Sequence, residues 1–346
     1  MFYFHNDYNE TCHPAVMAKL VAVSEKQYAG YGVDESCERA ISLIRKECKR
    51  EDVAVHFLVG GTQTNLTVIA ASLRPHQGVI SAASGHINVH ETGAIEATGH
   101  KVIQLQGRNG KITANQVDQA VKEHKSSPDA EHIVQPKMVY ISNPTESGTT
   151  YDLAELEALS GVCRKHRLIL FVDGARLGYA LASDAYDVTM ADLARLTDVF
   201  YIGGTKVGAM FGEAVVIANP VVAEDFRYLI KQRGAMLAKG WLLGLQFEAL
   251  FENGIYTKIA KQANQMADLL RGTLQELGYQ LVDANKTNQV FVAMPNRTLT
   301  EIKKDFTFSE WEKVDQDHTV VRFCTSWATK KESVEALCER LKQLSV

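Results

Sequence analysis

Residues 150–176, TYDLAELEALSGVCRKHRLILFVDGAR, decide how the rest of the chain is interpreted. The first part has a capping-type start and helical spacing, which predicts a helix. The second part, residues 168–175, is an almost uninterrupted apolar run, typical of a strand buried on both faces. A helix that leads directly into such a strand is the building block of a mostly parallel sheet with helices on both sides.

Apolar runs of the same kind occur on both sides of this segment, and residues 63–73 predict a further helix. With residues 168–175 they make seven candidate strands, the others being residues 52–60, 78–85, 101–106, 137–144, 198–205 and 212–219. We therefore predict a large α/β domain built on a mostly parallel seven-stranded sheet.

The pattern changes after about residue 220, where long helical stretches replace the short alternation of helix and strand. Helices are predicted at residues 224–254 and 256–278, strands at 289–296 and 319–327, and a last helix at 330–344. This order is typical of a smaller α+β C-terminal domain. The predicted division is an N-terminal segment at 1–15, a large domain at 16–245 and a small domain at 246–346.

The composition is that of a soluble globular protein, with 346 residues, 46% hydrophobic and 23% charged. A net charge of −4 argues against a broad nucleic-acid surface, which needs a basic excess. No apolar run is long enough for a transmembrane helix, and the N-terminus does not resemble a signal peptide. The six cysteines include no C-x-x-C pair and are expected to be reduced. We expect a cytoplasmic protein that binds neither membranes nor nucleic acid.

Polar residues follow four of the predicted strands, at the end of the sheet where α/β proteins gather ligands. In residues 60–65, GGTQTN, glycines at a strand-to-helix junction form either a phosphate-binding turn or a plain tight turn. Asp173 could hold a proton on a heterocyclic nitrogen, or cap a helix or pair with Arg176. Lys206, in YIGGTK, could be a surface charge, a phosphate contact or a Schiff-base amine. A phosphate-binding turn, an aspartate and a later lysine are together the groups needed to hold pyridoxal phosphate.

Residues 85–91, GHINVHE, place His86 and His90 four residues apart and directly before Glu91, a combination that could bind a metal. The order matches neither H-E-x-x-H nor H-x-x-E-H, so no metal is predicted. His86 could instead stack on an aromatic cofactor, whereas His90 is interpreted as structural.

Over essentially its whole length the sequence resembles the threonine aldolases, a branch of the pyridoxal-phosphate enzymes of fold type I, which are aspartate aminotransferase-like. The ordered motifs that carry this resemblance are HNDYNETCHP, YGVDESC, GGTQTN, GHINVHETGAIEATGHK, SNPTESGT, VDGARL, YIGGTKVG, IKQRGAMLAKGW and RFCTSWAT.

The resemblance implies a role for each matching residue. It makes Lys206 the lysine bonded to pyridoxal phosphate, Asp173 the partner of the pyridine nitrogen and His86 the residue stacked on the ring. The catalytic residues would then be Lys206, His86 and Asp173. Further cofactor contacts would come from Gly61, Thr62, Gln63 and Arg176, and substrate contacts from Asn6, Tyr31, Arg176 and Arg322.

The sequence also departs from the commoner family pattern. Asn6 stands where many members have a serine, and a histidine often found after the strand-end asparagine is replaced around Pro144 and Thr145. Both changes affect groups expected near the substrate, so the stereochemical preference does not follow from the resemblance.

The family pattern also implies a homo-oligomer, a dimer or a homotetramer, with active sites at a subunit interface. Tyr31 is expected to reach an active site across that interface. The cations Lys231, Arg233 and Lys239 either contact the phosphate of a neighbouring subunit or form a solvated helix face.

The reaction expected from the resemblance is cleavage of L-threonine or L-allo-threonine to glycine and acetaldehyde. The base that removes the β-hydroxyl proton would be His86 or an ordered water. A β-eliminating lyase or an aminotransferase could use the same lysine and aspartate and is the alternative. A non-catalytic sugar- or nucleotide-binding protein is a second alternative, since it would need only the anion cradle.

Overall fold

The structure is a computed structural model that describes residues 1–282 and 285–345. Its strands are β1 Phe2–Tyr3, β2 Ala54–Leu58, β3 Gln77–Ala82, β4 Val102–Leu105, β5 Gln135–Ser142, β6 Ile169–Asp173, β7 Val199–Gly203, β8 Glu213–Ile217, β9 Gln289–Pro295, β10 Phe306–Thr307, β11 Ser309–Lys313 and β12 His318–Cys324.

Helices occupy most of the remaining described chain. They are α1 Pro14–Ala22, α2 Glu35–Cys48, α3 Gly61–Ser72, α4 His86–Val89, α5 Ala114–Ser126, α6 Leu153–His166, α7 Leu177–Leu181, α8 Met190–Leu196, α9 Pro220–Ala223, α10 Phe226–Gln232, α11 Trp241–Phe251, α12 Ile255–Glu276, α13 Asn296–Ile302 and α14 Lys331–Leu344.

The seven predicted strands of the large domain form one sheet, in the order β2-β8-β7-β6-β5-β3-β4. Only β8 runs antiparallel to its neighbours, so the prediction of a mostly parallel sheet is confirmed. The helices that cover both faces explain why strands such as β7 and β8 are buried at every position. The carboxyl ends of the parallel strands therefore meet at one edge, where the polar turns lie.

The helix predicted within residues 150–167 is α6, and its start has a local cause. The Asp152 carboxylate accepts a hydrogen bond from the Glu155 amide (2.8 Å), and the Glu155 side chain accepts one from the Asp152 amide (3.0 Å). This capping box satisfies two amides that the first helical turn leaves without partners. Arg167 then ends the helix in the left-handed conformation, and β6 follows.

One predicted helix is wrong, because residues 224–254 form not one helix but α10 and α11 with a turn between them. Gly234 has φ +72°, which a helix does not accommodate. Gly240 lies so close to another segment that a Cβ there would be 2.8 Å from the Gly32 amide nitrogen. The helical periodicity was real on both sides, but the turn is set by this tertiary contact.

The C-terminal part contains an antiparallel sheet in the order β11-β12-β9, covered by α12 and α14. The N-terminal strand β1 pairs in parallel with β10, and Phe4 is buried in the same apolar cluster as Val321 and Leu337. The N-terminal segment therefore docks on the C-terminal part. The boundary at residue 246 stays a prediction. Within the described residues, no helix is long and apolar enough to cross a bilayer.

Candidate active site

A cavity of about 330 Å³ opens at the carboxyl edge of the central sheet. The polar turns that follow β2, β5, β6 and β7 all contribute to its walls. The titratable residues that line it, with the first two residues of α3, are Tyr8, Gly61, Thr62, His86, Glu146, Asp173, Arg176, Tyr201, Lys206 and Glu213.

Asp173, the last residue of β6, is buried and accepts four hydrogen bonds. Its Oδ2 accepts from the Tyr140 hydroxyl (2.5 Å) and the Asn65 amide (3.1 Å), and its Oδ1 accepts from the Tyr201 hydroxyl (2.5 Å) and the Ala175 amide (3.0 Å). Burial raises the pKa of this carboxyl, but the nearby imidazole charge and the two tyrosine hydrogen bonds outweigh burial and leave the pKa lowered. Asp173 is therefore an anion at neutral pH, able to hold a proton on a ring nitrogen.

A hydrogen-bonded chain links this aspartate to His86. Asn65 donates to Asp173 and also to Glu91 Oε1 (2.7 Å), and the same Glu91 oxygen faces His86 Nδ1 at 2.8 Å. Burial lowers the pKa of His86, but the Glu91 hydrogen bond and the negative charges of Asp173 and Glu91 raise it overall. Through Asn65 and Glu91, the orientation of His86 is therefore tied to that of Asp173.

Lys206 lies directly beyond β7, where the chain passes very close to its neighbours. A Cβ on Gly203 would be 2.2 Å from the Ala175 carbonyl oxygen, and one on Gly204 would be 2.6 Å from the Gly212 carbonyl oxygen. Glycine is therefore required at both positions to bring Lys206 into the cavity. Burial and the Arg176 charge lower the pKa of the Lys206 ammonium, which favours the nucleophilic amine.

Glu213 was not predicted from the sequence, although it is the first residue of β8 and pairs in register with Gly203. Its Oε2 accepts a hydrogen bond from the Gly204 amide (3.0 Å). Burial raises its pKa to about 8, and Lys206 and the Thr205 hydroxyl only partly oppose that shift. The turn that follows YIGGTK reverses the chain and brings the first residue of β8 back beside the lysine. This reversal is the sequence feature that could have identified Glu213.

The predicted phosphate turn is the start of α3. Gly61 and Thr62 line the cavity, and their amides belong to the first turn, whose N–H groups have no partner inside a helix. A Cβ on Gly61 would approach the Tyr201 hydroxyl to 3.2 Å. The Gln63 side chain points elsewhere: it accepts from the Val59 amide and donates to the Arg233 carbonyl, both at 3.2 Å.

Arg176 forms a bidentate ion pair with Asp7, from Nε to Oδ2 (2.7 Å) and from Nη2 to Oδ1 (2.9 Å). Asn288 also donates to Asp7 (2.9 Å). Burial raises the pKa of Asp7, but Arg176 outweighs burial and lowers it to about 2. Asn6, which the sequence favoured, instead accepts from the Tyr8 amide (3.0 Å).

Arg322 lies on β12, outside the lining of the cavity. It donates to the Gln289 side chain (3.1 Å) and to the His5 carbonyl (3.0 Å), and its guanidinium lies 5.4 Å from the Trp311 ring centroid. Burial, followed by the nearby Arg176 charge, lowers its pKa. The two positive charges therefore act on each other, although Arg322 itself does not line the cavity.

Tyr31 lies in a different place, on the rim of a separate cavity of about 260 Å³. Its ring is half exposed and lies 5.0 Å from Lys231 Nζ. Arg233 and Lys239 are in the turn between α10 and α11. The structure does not bring these four residues into the cavity that holds Lys206.

The loop SNPTE, where the sequence departs from the family pattern, supplies a carboxyl that was missed. Glu146 Oε1 accepts hydrogen bonds from the His86 amide (2.9 Å) and the Ser142 hydroxyl (2.7 Å). Burial raises its pKa, and the Ser142 hydrogen bond only partly opposes this. Pro144 and Thr145, the neighbours expected to replace a histidine, also line the cavity.

A family model described as Beta-eliminating lyase matches residues 9–297. The chain belongs to the beta-eliminating lyase family. A solved structure of Leishmania major threonine aldolase is 44% identical, covers 100% of both chains and superposes with a TM-score of 0.97. A low-specificity L-threonine aldolase from a Pseudomonas strain is 29% identical over 97% of this chain and 96% of its own length. A Thermus thermophilus aspartate aminotransferase variant shares the fold, with a TM-score of 0.72 at 16% identity.

These relationships confirm the resemblance to the threonine aldolases and the predicted fold of this beta-eliminating lyase family member. They also confirm that it is an enzyme of the lyase class. The family and the aminotransferase-like fold depend on pyridoxal phosphate. The residue roles remain to be assigned from the geometry of this chain.

Proposed function

We propose that this chain is a pyridoxal-phosphate-dependent threonine aldolase, which cleaves L-threonine and L-allo-threonine to glycine and acetaldehyde. One observation carries the proposal: the Asp173 carboxylate, the Lys206 amine and the free amides at the start of α3 surround a single cavity. The extent of similarity to the Leishmania major enzyme supports the choice of substrate.

The donor set fits pyridoxal phosphate, which supplies an electron sink when it is bound. The amides of Gly61 and Thr62, with that of Gln63 in the same helical turn, would hold the phosphate. Asp173 would hold the ring nitrogen in its protonated form, because the carboxyl is buried and anionic. Lys206 would form the covalent bond to the aldehyde, since its environment favours the neutral amine.

His86 would lie against one face of the ring, held in orientation by Glu91. Arg176 would bind the substrate carboxylate with the Nη1 side of its guanidinium, because Asp7 occupies the Nε and Nη2 edge. Arg322 and Asn6 would complete that carboxylate site from the neighbouring C-terminal part and the N-terminal segment. Fixing the carboxylate selects which bond at Cα is cleaved.

We further propose a cytoplasmic homo-oligomer, a dimer or a homotetramer. Tyr31 and the cations Lys231, Arg233 and Lys239 would then face the active site of a neighbouring subunit. Light scattering on the purified protein tests the assembly: a strictly monomeric, fully active protein would contradict it.

The deciding experiment is to incubate the protein, loaded with pyridoxal phosphate, with L-threonine or L-allo-threonine and to quantify the products. Glycine and acetaldehyde in equal amounts are expected. A β-eliminating lyase would give a keto acid and ammonia, and an aminotransferase would give a new amino acid. No glycine from either isomer would overturn the proposal.

A further inference from the structure

Cleavage of a β-hydroxy amino acid requires a base at the β-hydroxyl. The hydroxyl loses its proton as its C–O bond becomes a carbonyl, and the electron pair of the broken Cα–Cβ bond passes to the glycine fragment. That fragment later takes up one proton at Cα, so one proton is removed and one returned. Apart from Lys206, which is proposed to bond the cofactor, four titratable side chains that line the cavity are candidates for the base: His86, Glu146, Asp173 and Glu213.

Three of the four are poorly suited. Asp173 already accepts four hydrogen bonds and is the residue proposed to hold the proton of the ring nitrogen. Glu213 is on the Lys206 side, and a pKa of about 8 keeps its proton on at neutral pH. The Nδ1 of His86 is engaged by the Glu91 carboxylate at 2.8 Å, and its ring is proposed to lie against the face of the cofactor.

Glu146 differs in how its two carboxyl oxygens are used. Oε1 is fixed by two donors, the His86 amide and the Ser142 hydroxyl. Among the described residues, no donor reaches Oε2. The side chain is half-buried and lines the cavity on the His86 side. One oxygen is therefore an anchor, and the other is available to a ligand.

The charged and titratable groups that face Glu146 set its basicity. Asp173 on β6 repels the second negative charge, whereas His86 on α4 attracts it. The Tyr140 hydroxyl on β5 lies next to the Ser142 hydroxyl (3.4 Å) but donates to Asp173. Burial, which comes first, and the Asp173 charge together raise the pKa of this carboxyl, so its free oxygen is more basic than a carboxylate in water.

We propose that Glu146 is the general base that takes the β-hydroxyl proton of the substrate through Oε2. This assignment rests on the aldolase activity proposed above. The carboxylate becomes a carboxylic acid as the aldehyde forms, and it releases the proton once the aldehyde has left.

Glu146→Gln tests the assignment because glutamine keeps a carbonyl Oε1 that can accept from His86 and Ser142 but has no basic oxygen. We expect kcat for threonine cleavage to fall about 10²-fold or more. The exchange of glycine α-protons in deuterated water needs no β-hydroxyl base and should stay within about twofold of wild type. The acid limb of the kcat/KM pH profile, where activity falls as the base is protonated, should disappear in the variant.

Glu146→Ala and Glu157→Gln complete the design. The alanine variant removes the anchor as well, so cleavage and glycine exchange should both decrease. Glu157→Gln, on the exposed surface of α6, should behave as wild type. If Glu146→Gln cleaved threonine at the wild-type rate, or if it lost cleavage and exchange equally, Glu146 would be an anchor only. A wild-type protein that exchanges glycine but cleaves no threonine would instead overturn the function on which the inference rests.

Discussion

Two cavities lie at opposite edges of the same sheet, and the larger one is not the candidate active site. The cavity at the carboxyl edge has about 330 Å³, whereas a groove at the amino edge has about 760 Å³. The groove is also strongly basic, since the cations that line it are Arg50, Arg74, Lys137, Arg164, Arg167 and Arg195.

The two cavities differ in the hydrogen-bond partners of their charged side chains. At the amino edge the helices end, so their carbonyl groups need donors and their dipoles favour cations. Arg164 donates to the Arg195 carbonyl (2.9 Å), Arg50 donates to the Ala194 carbonyl (2.7 Å) and Lys137 donates to the Arg167 carbonyl. Half of this basic lining therefore donates to carbonyls at helix ends.

At the carboxyl edge the charges are fewer but buried, and several have displaced pKa values. Helices begin there, so free amides replace free carbonyls. Lys206 has a lowered pKa and Glu213 a raised one, and both face the same small space. Convergence of perturbed groups, rather than volume or net charge, identifies the candidate site.

Lys206→Ala should reduce activity more than any other single change. A small effect would contradict the assignment of the carboxyl-edge cavity as the active site. We expect kcat/KM for threonine to fall by about 10³-fold or more, which corresponds to about 4 kcal/mol of transition-state stabilisation. The visible absorption of bound pyridoxal phosphate should also be lost or shifted. An unchanged spectrum would mean that another lysine carries the cofactor.

Asp173→Asn should come next. Asparagine fills the same space but carries no charge, so the ring nitrogen would lose its ionic partner. A decrease in kcat of about 10²-fold is expected, the range seen when one electrostatic contact to a reacting group is lost. Circular dichroism should be unchanged, and wild-type kcat would show that this carboxylate does not act on the cofactor.

Asp7→Asn tests how much a buried ion pair contributes to stability and to substrate binding, compared with an exposed ion pair. Removing the charge leaves buried Arg176 unpaired, which should lower the free energy of unfolding at pH 7 by about 3 kcal/mol and raise KM. Asp7 has a lowered pKa, so its stabilisation is present above pH 3.8 and is lost as the pH falls through about 2. The stability difference measured in urea at several pH values should shrink over that range.

The matched control is Asp52→Asn, because Asp52 also pairs with an arginine, Arg50, but at the exposed amino edge. This change should leave KM and the free energy of unfolding essentially unchanged. Equal destabilisation of the two variants would contradict the importance of burial.

Arg74→Ala should have the smallest effect. This exposed side chain lines the amino-edge groove, so kcat/KM should stay within twofold and the melting temperature within about 2 °C of wild type. A tenfold loss of threonine cleavage would show that the groove contributes to function.

The sequence predicted the sheet because each strand carries its own apolar pattern and its own terminating glycine or polar turn. It predicted Asp173 and Lys206 because both stand directly after such strands. It missed the turn between α10 and α11, since the contact of Gly240 with Gly32 is not visible in local periodicity. It named Asn6 as a substrate contact and gave Asp7 no role, because only the folded chain shows that Asp7 meets Arg176.

Glu146 and Glu213 were missed for a related reason. A carboxyl in a loop or at a strand start resembles an ordinary surface residue until its burial is known. Their raised pKa values arise from three-dimensional neighbours, namely the closed cavity wall and nearby charges. Sequence patterns locate the edge of the sheet but not which polar side chains it encloses.

The pairing of β1 with β10 has a consequence for what holds the candidate site together. Residues 2–3 lie beside Phe306 and Thr307, so the N-terminal segment is fixed by the C-terminal part. Asp7 lies just beyond this strand and accepts hydrogen bonds from Arg176 and from Asn288, which is 281 positions away in the sequence. The carboxylate that orients the arginine of the cavity therefore depends on contacts between distant segments, and not on the local sequence around either residue.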